Sequence, residues 1–413
     1  MPDNASPRRT ALHARHRALG ANMASFAGWE MPLWYRAGAV REHLAVIQAA
    51  GLFDTSHMDV FFVEGGKAQS FLNYAFTRDL ARIKPGRAIY GAFLNQKGHV
   101  IDDAILYPLD AERKRFAVVV NAGMAPAATA HLRGLPDADE VALREPAGRL
   151  GKLDIQGPAS PAILRRILAD ADAAFANLGY FTFKGDFDFQ ASQIRLADQT
   201  PILLSRTGYT GELGFEIFAP LEGIGKIWDD LLGLGGDLGL LPCGLAARDS
   251  LRTGALLPLS HQDIGPWPYV NHPWRFALPL AGDGTFSFTK DFMGAAALRP
   301  DGNLHTLAFA GFDQRRVEPS GAKAFFAGEE IGDVSTIVSD MAIGRTDGGG
   351  ILSLASPGKP AGWTPRGLAC GFVRVKRNPP PGSRLLLRDA RREIEVEIVG
   401  NIRPDRTATR RIQ

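Results

Sequence analysis

Between residues 50 and 121 short apolar runs are stopped abruptly by turn residues, and this most restricts what the chain can fold into. Val60-Phe61-Phe62-Val63, Ile101 to Tyr107 and Phe116 to Asn121 each hold a few apolar or β-branched residues bounded by Gly, Asn or Asp. Runs of that length and composition form strands. Ala68 to Ala75 lies between the first two and has helical spacing. Strands and helices therefore alternate in units too short for long βαβ repeats, which predicts an α+β architecture of antiparallel sheets with helices on one face.

The same reading extends along the chain. Residues 10–50 read as helix-rich, with Leu44, Ile47 and Gln48 following His43 at helical spacing and Gly51 as the stop. Further helices are expected from Pro161 to Ala176 and from Ile224 to Leu232, the second ending in Gly233-Leu234-Gly235-Gly236 as cap and turn. That glycine stretch follows a helix and lacks the spacing of a dinucleotide fingerprint. After about residue 300 the pattern becomes short strands split by Gly, Pro and Asp, as in a small β-barrel or jelly roll. Gly348-Gly349-Gly350 and Ser356 to Pro365 read as loops within it. A chain of 413 residues exceeds one core. Two regions are expected, residues 1–290 as two interleaved α+β units and residues 291–413 as the β-module.

Composition removes several functions. A hydrophobic share of 45% and a charged share of 22% suit a globular chain, and the net charge of +3 comes from 47 basic and 44 acidic residues mixed along it. No basic stripe interleaved with aromatics marks a nucleic-acid groove. No apolar run reaches membrane-spanning length. Two cysteines, Cys243 and Cys370, sit in apolar stretches and suit a reducing compartment, so a cytoplasmic address is expected. The nine His are scattered without zinc spacing, so no metal is expected. A serine nucleophile lacks its elbow motif.

Three segments carry chemistry. The first runs Phe26-Ala27-Gly28-Trp29-Glu30-Met31-Pro32-Leu33, then Glu42-His43, then Gly51-Leu52-Phe53-Asp54-Thr55-Ser56-His57-Met58. The second is Leu94-Asn95-Gln96-Lys97-Gly98-His99-Val100-Ile101-Asp102-Asp103. The third is Ser205-Arg206-Thr207-Gly208-Tyr209-Thr210-Gly211-Glu212-Leu213-Gly214-Phe215-Glu216, with Cys243-Gly244-Leu245-Ala246-Ala247-Arg248-Asp249-Ser250-Leu251-Arg252 behind it. In order and spacing these resemble the glycine-cleavage T-protein (aminomethyltransferase) family over about residues 10–260. The resemblance implies the T-protein fold, two interleaved ferredoxin-like units and a β-barrel around a central folate cavity, with tetrahydrofolate as co-substrate.

The residues have readings of their own. Asp102 and Asp103 follow a Gly turn and open a strand, so their side chains should face opposite sides and only one can meet a cavity. Both could equally cap a turn at the sheet edge. A carboxylate in an apolar pocket has a raised pKa and can hold an amine and take its proton; the resemblance implies that Asp103 engages the reactive nitrogen side of tetrahydrofolate. Glu216 can accept the amino and N–H edge of a pterin, and the resemblance implies that it does. Tyr209 is either a core aromatic or a flat wall of that site. Gly208, Gly211 and Gly214 serve turns or close approach. Arg248 by default lies on a solvated helix face, and Met58 fills a core gap; the resemblance sends both to the folate cavity, where a guanidinium fork suits an acidic partner. His43 and His57 read as satisfied structural histidines.

The sequence departs from the family where the one-carbon donor is received. T-proteins usually carry Pro-Leu-Tyr-Gly followed by Glu-Ala-Gly-Leu-Gly-Trp; this chain reads Pro258-Leu259-Ser260-His261 and then gains Trp267, Tyr269, His272 and Trp274. Asp59 replaces the usual Gly after Met58, and the chain ends in the Arg-rich Asn401 to Gln413. An aromatic, His-lined donor pocket is expected, fitting a small methylated amine, sulfonium or aryl ether as donor to tetrahydrofolate. Aminomethyl transfer from a lipoyl carrier protein is the alternative. A third reading, folate binding without turnover, follows a resemblance to relatives of this fold that carry a Cys in the loop equivalent to Gly208 to Glu216, and this loop has none.

Overall fold

The computed structural model describes residues 6–146, 150–282, 285–300 and 302–412. The first five residues of the Arg-bearing opening and Gln413 at the end of the basic tail lie outside this set. Among the described residues no helix is long and apolar enough to cross a membrane.

Two sheets share the first part of the chain. The six-stranded sheet runs, edge to edge, Phe183–Lys184, Leu203–Ser205, Gly214–Pro220, Leu150–Gln156, Ala50–Asp54 and Leu240–Pro242, with only the last pair parallel. The five-stranded antiparallel sheet runs Ile89–Leu94, Val100–Pro108, Arg115–Val120, Asp59–Glu64 and Ala142–Arg144. The chain leaves the first sheet at Asp54, enters the second at Asp59 and returns at Leu150. The two units are thus interleaved, and the Thr55 to Met58 crossover lies where the sheets meet.

Each sheet buries one apolar face under helices. In the strand Leu150–Gln156, Leu153 and Ile155 point toward the helix Leu221–Gly235, and a Cβ on Gly151 would come 2.6 Å from Ile224. The helix presents Ile224, Ile227, Trp228 and Leu231 to that face. In the second unit Phe71 and Leu72 of the helix Ala68–Ala75 cover Phe93 and Val118. The third unit is a closed antiparallel barrel of His305–Gly311, Leu368–Val375, Glu329–Asp340, Lys323–Phe326, Arg384–Arg388 and Glu393–Ile398. Alternating residues such as Leu385, Leu387, Ile394 and Val396 fill it. The α+β class and the barrel match the expectation from sequence.

Local boundaries differ for physical reasons. Residues 10–50 contain a hairpin, Asn22–Phe26 with Trp29–Trp34, between the helices His13–Ala18 and Ala39–Gln48. Ala27 and Gly28 both have positive φ, 48° and 77°, which suits a two-residue turn matched to strand twist. Gly51 stops nothing: it lies inside a strand, and a Cβ there would meet Val46 at 2.4 Å and Cys243 at 2.6 Å. The segment from Pro161 to Ala176 forms two short helices, Ser160–Arg165 and Ala171–Phe175, because Asp170 caps the second by accepting from Ala173 N at 2.8 Å. The Gly233 to Gly235 stretch is the helix's last turn, and Gly239 at φ 79° ends the 3-10 turn beyond it.

Candidate active site

The main cavity, about 1180 Å³, lies between the two sheets. Met58, Asp103, Tyr209, Glu216 and Arg248 all line it. The strands Val100–Pro108 and Arg115–Val120 form one wall, and Gly214–Pro220 with the helix Leu245–Gly254 the facing one. The space exceeds that of a usual single-ligand pocket, roughly 300–1000 Å³.

At the first wall Tyr90 donates its hydroxyl to Asp103 Oδ2 at 2.8 Å. Asn121 at the end of the next strand bridges the acidic pair, its Nδ2 lying 2.7 Å from Asp103 Oδ1 and 2.8 Å from Asp102 Oδ1. Asp102 is fully buried and also accepts from Asn121 N at 2.9 Å and Ser260 Oγ at 2.8 Å. Only Asp103 meets the cavity, yet the two carboxylates share a donor and are not independent. Burial first, then the neighbouring Asp102 charge, raises the Asp103 carboxyl to about 6, against the hydrogen bonds from Tyr90 and Asn121. A carboxylate so placed can take a proton from an amine near neutral pH.

The facing wall is built from alternation. Lys152, Asp154 and Gln156 share the inward face of Leu150–Gln156, and the register sets Glu216 directly opposite Asp154. Two buried carboxylates across a strand pair repel unless a cation intervenes. Lys152 Nζ supplies it, 2.5 Å from Asp154 Oδ1 and 2.7 Å from Glu216 Oε1. Thr207 donates to Glu216 Oε2 at 2.5 Å, and Thr55 to Asp154 Oδ1 at 2.8 Å. Arg248 reaches Asp154 Oδ2 at 2.9 Å and stacks 4.8 Å from the Tyr209 ring centre. Burial raises the Asp154 carboxyl, but Lys152 and Arg248 outweigh it and hold it below its usual range. Tyr209 is pinned by donating to the Pro258 carbonyl.

Gln156 also explains the glycines of the 208–214 loop. A Cβ on Gly208 would sit 2.2 Å from its side chain and one on Gly214 2.3 Å, while Gly211 has φ 77°. Both reasons anticipated for these glycines, close approach and positive φ, are present.

The four expected donor-side residues do not line the cavity. Tyr269, His272 and Trp274 pack in the core between cavity and barrel, Trp274 being 0% exposed, edge-on to Phe372 and donating to the Leu256 carbonyl at 2.9 Å. Trp267 stacks under the Arg374 guanidinium, 4.2 Å from ring centre to Cζ. Large apolar rings at this junction are worth more buried than lining a water-filled space. The same loop does reach the cavity, through Pro258 to Gln262. His261, at φ 61°, brings Nε2 to 3.7 Å from Asp102 Oδ1, and that carboxylate first, against burial, raises the imidazole's pKa.

Other expectations change as well. His43 is satisfied, 2.8 Å from Ser250 Oγ and 2.9 Å from Asp340 Oδ1. His57 is not: it lines the cavity wall, its buried Nδ1 has no partner among the described residues, and burial first, with Arg248 and Lys152, lowers it to about 4. Asp59 serves the fold, accepting from Ala125 N at 3.1 Å at the start of a helix. No described residue of the six barrel strands lines the cavity; the tail beyond them does, through Asp405, Arg406, Ala408 and Thr409. Arg403, buried, ties that tail to Asp340 and Glu212 at 2.5 and 3.2 Å, and Arg206 donates to the Ala408 and Arg410 carbonyls at 3.1 and 2.7 Å.

Residues 12–267 match the family model of the GCVT N-terminal domain. The chain belongs to the glycine-cleavage T-protein family. T-protein relatives agree along most of its length: the aminomethyltransferase of Streptomyces coelicolor is 38% identical over 352 residues, covering 82% of this chain and 87% of that one. The aminomethyltransferase of Streptomyces avermitilis is 36% identical over 348 residues, covering 84% and 89%. Among solved T-proteins, the crystal structure of glycine cleavage system aminomethyltransferase T from Bartonella henselae matches with a TM-score of 0.74 at 28% identity, covering 99% of this chain and 100% of that one. The T-protein fold anticipated from the motifs is therefore the fold of this chain.

Proposed function

We propose that this T-protein is a tetrahydrofolate-dependent aminomethyltransferase, a transferase of one-carbon groups that receives its aminomethyl group from a lipoyl carrier protein. The observation that carries this reading is the cavity of about 1180 Å³ with Asp103 on one wall and Glu216 and Arg248 on the other. The relatives are named aminomethyltransferases. The sequence-based preference for a small methylated donor rested on Trp267, Tyr269, His272 and Trp274, and that support falls away once they lie outside the cavity.

The residues suit a folate. Glu216 and Arg248 offer an anion and a cation fork to a pterin edge, Tyr209 and Met58 flank a flat ring, and Asp103 stands across the space. In aminomethyl transfer the bond from carbon to sulfur breaks, two bonds from carbon to folate nitrogens form, and ammonia leaves. The two folate N–H protons end on the thiol and the ammonia. Asp103 takes up the proton shed at the attacking nitrogen, a role its carboxyl near 6 suits at neutral pH. Tyr90 and Asn121 hold its oxygens in place.

Incubating the protein with tetrahydrofolate and aminomethyl-loaded carrier protein, beside a panel of methylated amines, sulfoniums and aryl ethers, tests the reading. The expected products are 5,10-methylene-tetrahydrofolate and ammonia from the carrier arm. 5-Methyl-tetrahydrofolate from a methylated donor alone would replace it with methyl transfer.

A further inference from the structure

On the reading that Glu216 anchors the pterin, we infer that Lys152, buried behind the cavity wall, is a positioning residue that offsets the opposed Asp154 charge and holds the Glu216 carboxylate aimed at the cavity. Lys152 is not among the residues lining the cavity. Its ammonium, in a residue 4% exposed, touches both carboxylates of the opposed pair, Asp154 and Glu216. Arg248 reaches only Asp154, so among the described residues Lys152 is the one cation within ion-pair distance of Glu216.

The charges around Glu216 come from every packed element. Asp154 faces it from the neighbouring strand, Tyr107 lies 3.4 Å from Oε2 on the opposite sheet, and Thr207 donates from its own loop. Arg248 reaches the opposed Asp154 at 2.9 Å, and His57, which shares the cavity lining with Glu216, lies in the field of Asp54, Arg248, Lys152 and Asp154. Without Lys152 two buried carboxylates oppose each other, and the cluster relieves that repulsion by taking up a proton. A protonated Glu216 carries one acceptor site fewer and presents a donor to the N–H edge it should bind.

The test is calorimetric titration of the full chain with tetrahydrofolate at about pH 6 and about pH 8.5, in buffers of differing ionisation enthalpy. Relative to the parent at each pH, Lys152→Met should weaken binding by roughly ten- to a hundredfold at the lower pH, recover part of it at the higher, and release a proton on binding. Lys152→Arg keeps the charge and should restore the parent's pH profile. Removing one partner of a buried pair can prevent folding, so Lys152→Met with Asp154→Asn supplies a second arm without the stranded charge. That double variant should fold and still bind weakly, because Glu216 Oε1 has lost its donor. Folded variants that match the parent's affinity and proton count at both pH values overturn the assignment, whereas a parent that binds no tetrahydrofolate overturns the folate reading beneath it.

Discussion

The Tyr90 hydroxyl donates to Asp103 Oδ2 at 2.8 Å across the mouth of a strand pair, and that bond opposes the burial that drives the carboxyl up. A base acts when ionised, so kcat/KM should rise through about pH 6 and level off above it. Tyr90→Phe removes a bond that favours the charged form. The acid limb should move upward by about one pH unit, since a hydrogen bond to a charged acceptor is worth about 1.5 kcal/mol. A pH–rate profile of both proteins checks it; an unmoved limb would detach Asp103 from that titration.

Asp103→Asn keeps the shape and loses the charge. Turnover should fall by about two orders of magnitude while tetrahydrofolate binds nearly as well. Asp102→Asn should lie between this variant and the parent, because Asp102 positions Asn121 and Ser260 through 2.8 Å contacts. Steady-state kinetics of the two variants side by side decide the order, and a more crippled Asp102→Asn would assign the base to the wrong member.

The tail is held by buried charge. Asp340 is pushed up by burial but held well below its usual range by Arg403 and His43. A depressed carboxyl stabilises the fold above the unfolded carboxylate's value, about 3.9, and that contribution is lost as pH falls below it. Arg403→Met removes the buried guanidinium that Asp340 and Glu212 share, leaving Asp340 with His43 and Glu212 with Thr407, and should cost about 3–5 kcal/mol. Denaturant melts at neutral pH measure the loss; an unchanged midpoint would make the Arg403 cluster energetically idle.

Trp274 and the residues around it separate packing from donor recognition. Trp274→Ala should destabilise by about 3–5 kcal/mol, whereas Trp274→Phe should fold and leave the KM for the one-carbon donor unchanged. A donor KM that moves with the conservative substitution would return the ring to the substrate side.

The fold was legible because its strands are bounded by strong stops: Ala68 to Ala75 is helical over the span that its spacing predicts, the Val60 to Val63 strand gains one residue at each end, and the Phe116 to Asn121 strand lies one residue earlier. The Asp103 wall was legible through local motifs. The opposite wall was only half so, since Glu216 sits in a Gly-rich word but Lys152 and Asp154 sit in Gly151-Lys152-Leu153-Asp154-Ile155-Gln156. Strict alternation there carried the signal: a central strand cannot turn three polar residues to solvent, so they must meet a buried partner or a site. The aromatic loop misled because its rings and its cavity residues are neighbours in sequence, and burial, set by distant Phe372, sorted them.

Calorimetric titration with tetrahydrofolate of the parent and of Glu216→Ala bears most directly on whether the space between Asp103 and Glu216 is the folate site. Truncating one side of a charge-assisted contact that leaves buried donors unpaired costs about 2–5 kcal/mol. The expected result is saturable one-to-one binding by the parent, weakened by that amount in a variant that melts as a folded protein. Equal affinity of the two for tetrahydrofolate, or no binding by the parent, would contradict it.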